Sequence, residues 1–389
     1  MYFGKITSIL IFLILYIVVL FLAYQGEIRE KRGKSAKSYF VIIVVVLCFF
    51  SSIRGENVGT DYKVYAKLIF QLAGNANSMA LLIALNTRFE IVYLVIAYIV
   101  RIVTDNIHVF MFFIQLICTF PIYVGIYKKR NEISITYASL AYICLLYPMT
   151  FNAMRQNAAM ALLFLGSVYL FEKRYKTAVI WLVISTLFHS SAIFSIALVL
   201  FIFLVRKVKN RNIRSFLTFA VPIVVVFLMI NWNSIAYGAI KIGILPERYA
   251  HQIAVFEAGT MEQYTSVSSA GYVDYLFRII FVAVPSAVAI RRKYLKNELF
   301  QVLKLAYVVD FLMYSFFFFS LHTIYGYRIV MIYDYLNVLL LARIVKRHSN
   351  NKNIKGFTII ELAIVAILIA YFVLYYGWYG AHQVIPFSV

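Results

Sequence analysis

Long apolar runs separated by short basic connectors constrain this chain more than any other feature. Phe3–Tyr24, His108–Tyr127, Ser215–Ile230, Tyr272–Ile290, Leu299–Ser320 and Phe357–Tyr376 are on the scale of the ~20 residues that an α-helix needs to cross a hydrocarbon core. Solid runs of this kind argue against a membrane β-barrel, whose strands alternate apolar and polar positions. With 63% hydrophobic and 14% charged residues, the chain lies outside the range of soluble domains. The pattern predicts an all-α, polytopic integral membrane protein of about twelve transmembrane helices, with at least one short or re-entrant segment. The chain reads as a single membrane domain over 1–389. Its N-terminal run follows one Lys and has no small-x-small cleavage site, which favours a retained helix over a removed signal peptide.

The formal net charge of +21 raises the question of nucleic acid, and its placement argues against that. Most of the 37 Lys and Arg residues fall in the connectors 25–38, 128–133, 172–176, 206–214, 291–297 and 343–355. This is the positive-inside pattern of cytoplasmic loops, which sets orientation and touches anionic lipid headgroups. Residues 232–271 form the longest polar stretch and lack the basic excess. They are expected to be the largest outward-facing loop.

Counting crossings from the basic connectors puts 150–154, His189, 232–271 and 321–327 on the outer side. The first half does not close. Loop 25–38 belongs inside, so 39–53 runs outward. Two further crossings at 89–104 and 107–127 would then leave Lys128, Lys129 and Arg130 outside, against the charge rule. Either 66–85 contributes a crossing or a short segment is re-entrant, which membranes tolerate where backbone lines a wet cavity.

Four polar islands interrupt the apolar pattern. The first holds Arg54, Glu56, Asp61, Tyr62 and Tyr65, punctuated by Gly55 and Gly59. It reads either as a turn with an Asp61 cap and interfacial tyrosines, or as a site. The second, Phe151 to Asn157, puts Arg155 at a helix start, where a cation opposes the macrodipole and borders hydrocarbon. Arg155 either snorkels to the interface or has an anionic partner, a carboxylate or a phosphate. The third is His189 within Thr186 to Ser191, a structural histidine or a member of a broken-helix site. The fourth runs from His322 through Tyr325 to Arg328, again an arginine at a helix start.

Asp274 and Arg278 lie four apart, the spacing of a structural ion pair. Asp310 sits within an apolar run, either functional or neutralising an arginine, and Glu361 is a weaker case of the same kind. Cys48, Cys118 and Cys144 fall inside apolar runs and read as small core residues. There is no phosphate-binding loop, no His-Glu-x-x-His, no Cys-x-x-Cys and no Asp-x-Asp, so neither a catalytic metal nor a cofactor is expected.

The ordered set is similar to the EpsG-like family of Wzy-type polysaccharide polymerases. The residues that carry the resemblance are Arg54 with Gly59-Thr60-Asp61-Tyr62 and Tyr65, then Phe89-Glu90-x-x-Tyr93, then Met154-Arg155-Gln156-Asn157-Ala158-Ala159, then Phe188-His189-Ser190-Ser191-Ala192. The match in order and spacing covers roughly residues 40–200. The C-terminal half matches in hydropathy and in the Tyr325-Gly326-Tyr327-Arg328 island. Asn157 departs from the pattern, which has a small residue there, often Gly.

The resemblance implies a bacterial inner-membrane glycosyltransferase with an outward-facing site. Such an enzyme joins oligosaccharide repeat units carried on undecaprenyl pyrophosphate, without a metal and with inversion at the anomeric carbon. In the mechanism this suggests, Arg155, with Arg54 or Arg328, holds the pyrophosphate. Asp61, His189 or Glu90 takes the hydroxyl proton. Tyr62, Tyr65, Gln156, His322 and Tyr325 contact the glycan. Expected partners are the lipid-linked glycan, membrane lipid and a chain-length regulator protein. A flippase, a glycan ligase or acyltransferase, and a structural assembly partner remain alternatives. The site logic is shared among them. No internal repeat of the kind common in transporters is visible.

Overall fold

The computed structural model describes residues 2–87, 89–243, 269–291, 298–319, 323–349 and 359–389. Within these residues all regular structure is helical, apart from one isolated bridge between Tyr2 and Ser388. The expected outward loop 232–271 is described only at its two ends, and residues 244–268 lie outside the described residues.

The first helices are α1 (Lys5–Lys31), α2 (Lys37–Ser52), α3 (Leu68–Gly74), α4 (Met79–Leu85), α5 (Ile91–Val103) and α6 (Ile107–Lys128). They are followed by α7 (Ile135–Ala141), α8 (Met154–Phe171), α9 (Tyr175–Phe188), α10 (Ala192–Lys207), α11 (Arg211–Ile230) and α12 (Trp232–Lys241). Then come α13 (Ser269–Arg291), α14 (Glu298–Phe319), α15 (Thr323–Ser349) and α16 (Ile359–Tyr371). Wider π turns occur at Tyr62–Lys67, Tyr142–Leu146 and Phe372–Trp378. Among the described residues, five helical stretches are long and apolar enough to cross a membrane: Lys5–Lys31, Ile107–Lys128, Arg211–Leu228, Gln301–Phe319 and Glu361–Trp378. The chain is an all-helical protein of membrane type.

Two compact units form, Met1–Ile196 with Asp334–Val389, and Ala197–Tyr333. In the second, α13 packs on α14 and α11 on α14. Arg278 bonds Asp274 at 3.0 Å and Asp310 at 2.9 Å, and its guanidinium lies 4.0 Å from the Tyr314 ring centre. The structural pairing expected from the Asp274–Arg278 spacing is therefore present, and Asp310 joins it. All three charges are buried, where a lone charge would be costly.

The first unit has two chemically distinct ends. At one end the basic connectors meet acids. Arg130 bonds Glu30 at 3.0 Å, and Lys128 and Lys129 reach Glu172 at 3.1 and 3.5 Å. Glu27 accepts from the Ser134 hydroxyl at 2.7 Å, and Arg343 donates to the Glu132 carbonyl. Connectors 25–38 and 128–133 thus share an end with the turn between α8 and α9.

The topology problem in the first half resolves here. The His108 Nδ1, at the start of α6, lies 2.6 Å from the carbonyl of Ser52, at the end of α2. Residues 53–106 therefore leave and rejoin the same end. Their helices, at most 13 residues long, are shorter than a perpendicular span needs. α6 then carries Lys128 to the basic end.

α8 is buried along nearly its whole length and packs on α6 and α9. Gly166 leaves room for Leu182, because a Cβ there would come within 2.9 Å of the leucine Cδ2. Helices that meet without a hydrophobic driving force rely on such close approach. The short turn 172–174 makes α9 antiparallel to α8, so His189 comes to the end where α8 begins.

Candidate functional site

The site is built around a break in the backbone. The chain runs through α7, the π turn Tyr142–Leu146 and a 3₁₀ turn at Pro148–Phe151. Asn152 is then extended and Ala153 left-handed, with φ of 48°. α8 begins at Met154 with no side-chain cap of its own. Such a break strands carbonyls on one side and amides on the other, and at membrane depth each must find a partner.

The first polar island supplies those partners. Arg54 Nη2 donates to the Phe151 carbonyl at 3.2 Å, and its guanidinium lies 4.6 Å from the Phe151 ring centre. Asp61 Oδ2 accepts from the Met154 amide at 2.8 Å and so caps α8 from across the fold. Thr60 Oγ1 donates to the Asn152 side chain at 2.7 Å. One charged residue takes the carbonyl side of the break and the other takes the amide side.

Gly59 makes the fit possible. Its φ is +77°, and a Cβ there would run into the Phe151 carbonyl. The segment 380–389 closes the loop from behind. Gly55 donates to the Ser388 carbonyl at 2.7 Å and Gly59 to the Gln383 carbonyl at 2.9 Å. Phe387 stacks on Phe50, their ring centres 4.9 Å apart.

Arg54 is 1% exposed. Its Nη1 donates to the Ser51 hydroxyl at 2.5 Å. Ser51 in turn donates to Gln115 Oε1 at 2.9 Å, which also accepts from Thr150 at 3.0 Å. Gln115 Nε2 donates to Thr119 at 2.9 Å, and Thr119 meets the Tyr142 hydroxyl at 3.0 Å. A buried hydrogen-bonded chain thus backs the arginine.

Arg155 sits differently. Its Nη1 lies 2.5 Å from Glu90 Oε2, with both side chains partly open at 14% and 18% exposure. The guanidinium lies 4.1 Å from the centre of the Tyr65 ring, and Phe89 is 6.0 Å away. Of the two partners expected for this adversely placed cation, a carboxylate or a phosphate, the structure holds a carboxylate, Glu90. Glu90 occupies the N-cap position of α5 and makes no cap bond there.

Tyr62 and Gln156 are buried. His189 Nδ1 lies 2.7 Å from the Ser191 hydroxyl, at the same end as Arg155. His322 lies outside the described residues. Tyr325 and Arg328 fall in the first turns of α15, and their side chains lie outside the described residues. Away from the break, the exposed Glu56 pairs with Lys67 at 2.7 Å, a hydrogen bond that lowers the pKa of Glu56 and raises that of Lys67. Among the described residues, no cluster of three His, Cys, Asp or Glu side chains is gathered as metal ligands are.

The sequence model of the EpsG family matches residues 37–389. The chain belongs to the EpsG family. No match was found among curated proteins or among solved structures. This EpsG-family protein is thereby a membrane protein of polysaccharide biosynthesis.

Asn157, the departure from the family pattern, has a clear structural use. Its Nδ2 donates to the carbonyls of Met149, Asn152 and Ala153 at 3.0 to 3.1 Å. Its Oδ1 accepts from the Tyr335 hydroxyl at 2.7 Å. The amide staples the break from its α8 side. Gln115 is the site residue that motif reading misses, its one sequence signal being an amide side chain inside an apolar run.

Proposed function

We propose that this EpsG-family protein is a polysaccharide polymerase of the cytoplasmic membrane. It joins oligosaccharide repeat units carried on undecaprenyl pyrophosphate at the outer face, and its full complement of crossings is about twelve, set by spans of ~20 residues. The observation that carries this reading is the gathering of two arginines and two carboxylates at a helix break, Arg155 paired with Glu90 while Arg54 and Asp61 each bond backbone, on the end of the unit opposite the basic connectors. Basic connectors mark the cytoplasmic side, which turns the break outward.

In this reading the hydroxyl of one repeat unit attacks the anomeric carbon of the growing chain. The bond to pyrophosphate breaks and the centre inverts. Arg155 holds the departing pyrophosphate, while the buried Arg54 adds positive charge at the same break. A carboxylate or His189 takes the hydroxyl proton. Tyr65, beside Arg155, is the proposed glycan contact. Pyrophosphate is a good leaving group, so the chemistry needs no metal in principle. A chain-length regulator is a proposed partner.

The test is a gel ladder of surface polysaccharide from cells lacking the protein. Collapse to single repeat units at the outer face, reversed by the wild-type gene, is the polymerase outcome. Full-length but unattached chains would identify a ligase instead, and repeat units stranded on the inner leaflet would identify a flippase.

A further inference from the structure

Arg155 is the cation at this break that an incoming anion reaches most readily, yet it is occupied. Glu90 holds it at 2.5 Å while the Tyr65 face supports the guanidinium plane at 4.1 Å. Cation–π support does not compete with in-plane hydrogen bonds, so the guanidinium keeps its place when its in-plane partner changes. Glu90 has a second position available. It stands at the N-cap of α5 with extended backbone, φ −68° and ψ 133°, and its side chain makes no cap bond. Asp at this position bonds the first-turn amides, and the Glu90 carboxylate, one methylene longer, reaches the same amides by folding back. The Glu90 carboxylate therefore has two alternative seats, one on Arg155 and one at its own helix start.

We infer that Glu90 is a latch on Arg155, released by the pyrophosphate of the lipid-linked donor, and that the released carboxylate is the general base. This rests on the polymerase reading above and narrows it to one base. A pyrophosphate with its higher charge takes the guanidinium, and Glu90 leaves. The carboxylate then accepts the proton from the acceptor hydroxyl as the new C–O bond forms at the anomeric carbon. The old C–O bond breaks with its electron pair going to the pyrophosphate on Arg155. The base is thus masked until a donor is bound, which suppresses proton abstraction at an empty site. Asp61 keeps its bond to the Met154 amide throughout.

The protein in lipid nanodiscs is titrated with inorganic pyrophosphate by calorimetry, and elongation of lipid-linked repeat units is measured in parallel. Glu90→Gln removes the competing charge. It is expected to bind pyrophosphate about tenfold more tightly than wild type, a change worth one decade of Kd, and to elongate nothing. Arg155→Gln is expected to lose pyrophosphate binding. Glu90→Asp, one methylene shorter, makes a weaker latch. It is expected to bind more tightly than wild type while keeping residual elongation, and it carries the comparison if Glu90→Gln does not fold. Pyrophosphate binding by both Glu90 variants equal to or weaker than wild type would overturn the latch. Normal elongation by Glu90→Gln would overturn its role as base. Failure of the polymerase reading shows separately, as wild-type protein that elongates no repeat units.

Discussion

Arg54 and Arg155 look alike in the sequence, each an isolated cation beside an apolar run, and the fold gives them different work. Arg54 is walled in at 1% exposure and bonds backbone across the break, whereas Arg155 is partly open and pairs with an acid. Arg54→Met should therefore act on stability. It strands the Phe151 carbonyl and unseats Ser51, at a cost of about 2–3 kcal/mol. Thermal unfolding in nanodiscs should show a lowered midpoint. Arg155→Lys should leave that midpoint near wild type and weaken pyrophosphate binding, because an ammonium cannot replace a planar fork. Asn157→Ala strands the Asn152 carbonyl and removes side-chain bonds to those of Met149 and Ala153, which keep backbone donors, and should cost about 1–3 kcal/mol. A double-mutant cycle with Tyr335→Phe should be non-additive, since the Tyr335 hydroxyl bonds Asn157 Oδ1.

At the scale of elements, the break between the 3₁₀ turn and α8 is the device on which the site depends. Its geometry needs Gly59 against the Phe151 carbonyl. Gly59→Ala combines a left-handed φ with a clash, for an expected loss of about 2 kcal/mol or more, read as a lowered unfolding midpoint with polymer length reduced. The helices and the polar islands were legible in the sequence because apolar runs and glycine punctuation are local signals. Asp61 was legible as a cap but not as the cap of a helix 93 positions away. The pairing of Glu90 with Arg155 was likewise hidden, since an adverse helix-start arginine announces a need for a partner and not its address. Gln115 was missed because one amide in an apolar run looks like tolerated noise until Ser51 and Thr150 converge on it.

For the whole molecule, charge segregation does what local pattern could not. A strict count of crossings leaves Lys128, Lys129 and Arg130 on the wrong side. The fold returns them to the basic end, because residues 53–106 begin and finish at one end. Single cysteines placed at 57 and at 131, in a chain whose three buried native cysteines are replaced by serine or alanine, should label from opposite faces of the membrane. Labelling from the same face would contradict the orientation. The central claim is that an outward-facing break holding Arg155 makes the polymer. The most direct measurement reconstitutes purified protein with lipid-linked repeat units and resolves the products on a gel. Wild type should yield a ladder and Arg155→Ala only the single repeat unit, with both proteins equally folded. A full ladder from Arg155→Ala would make Arg155 a structural anchor and contradict the account.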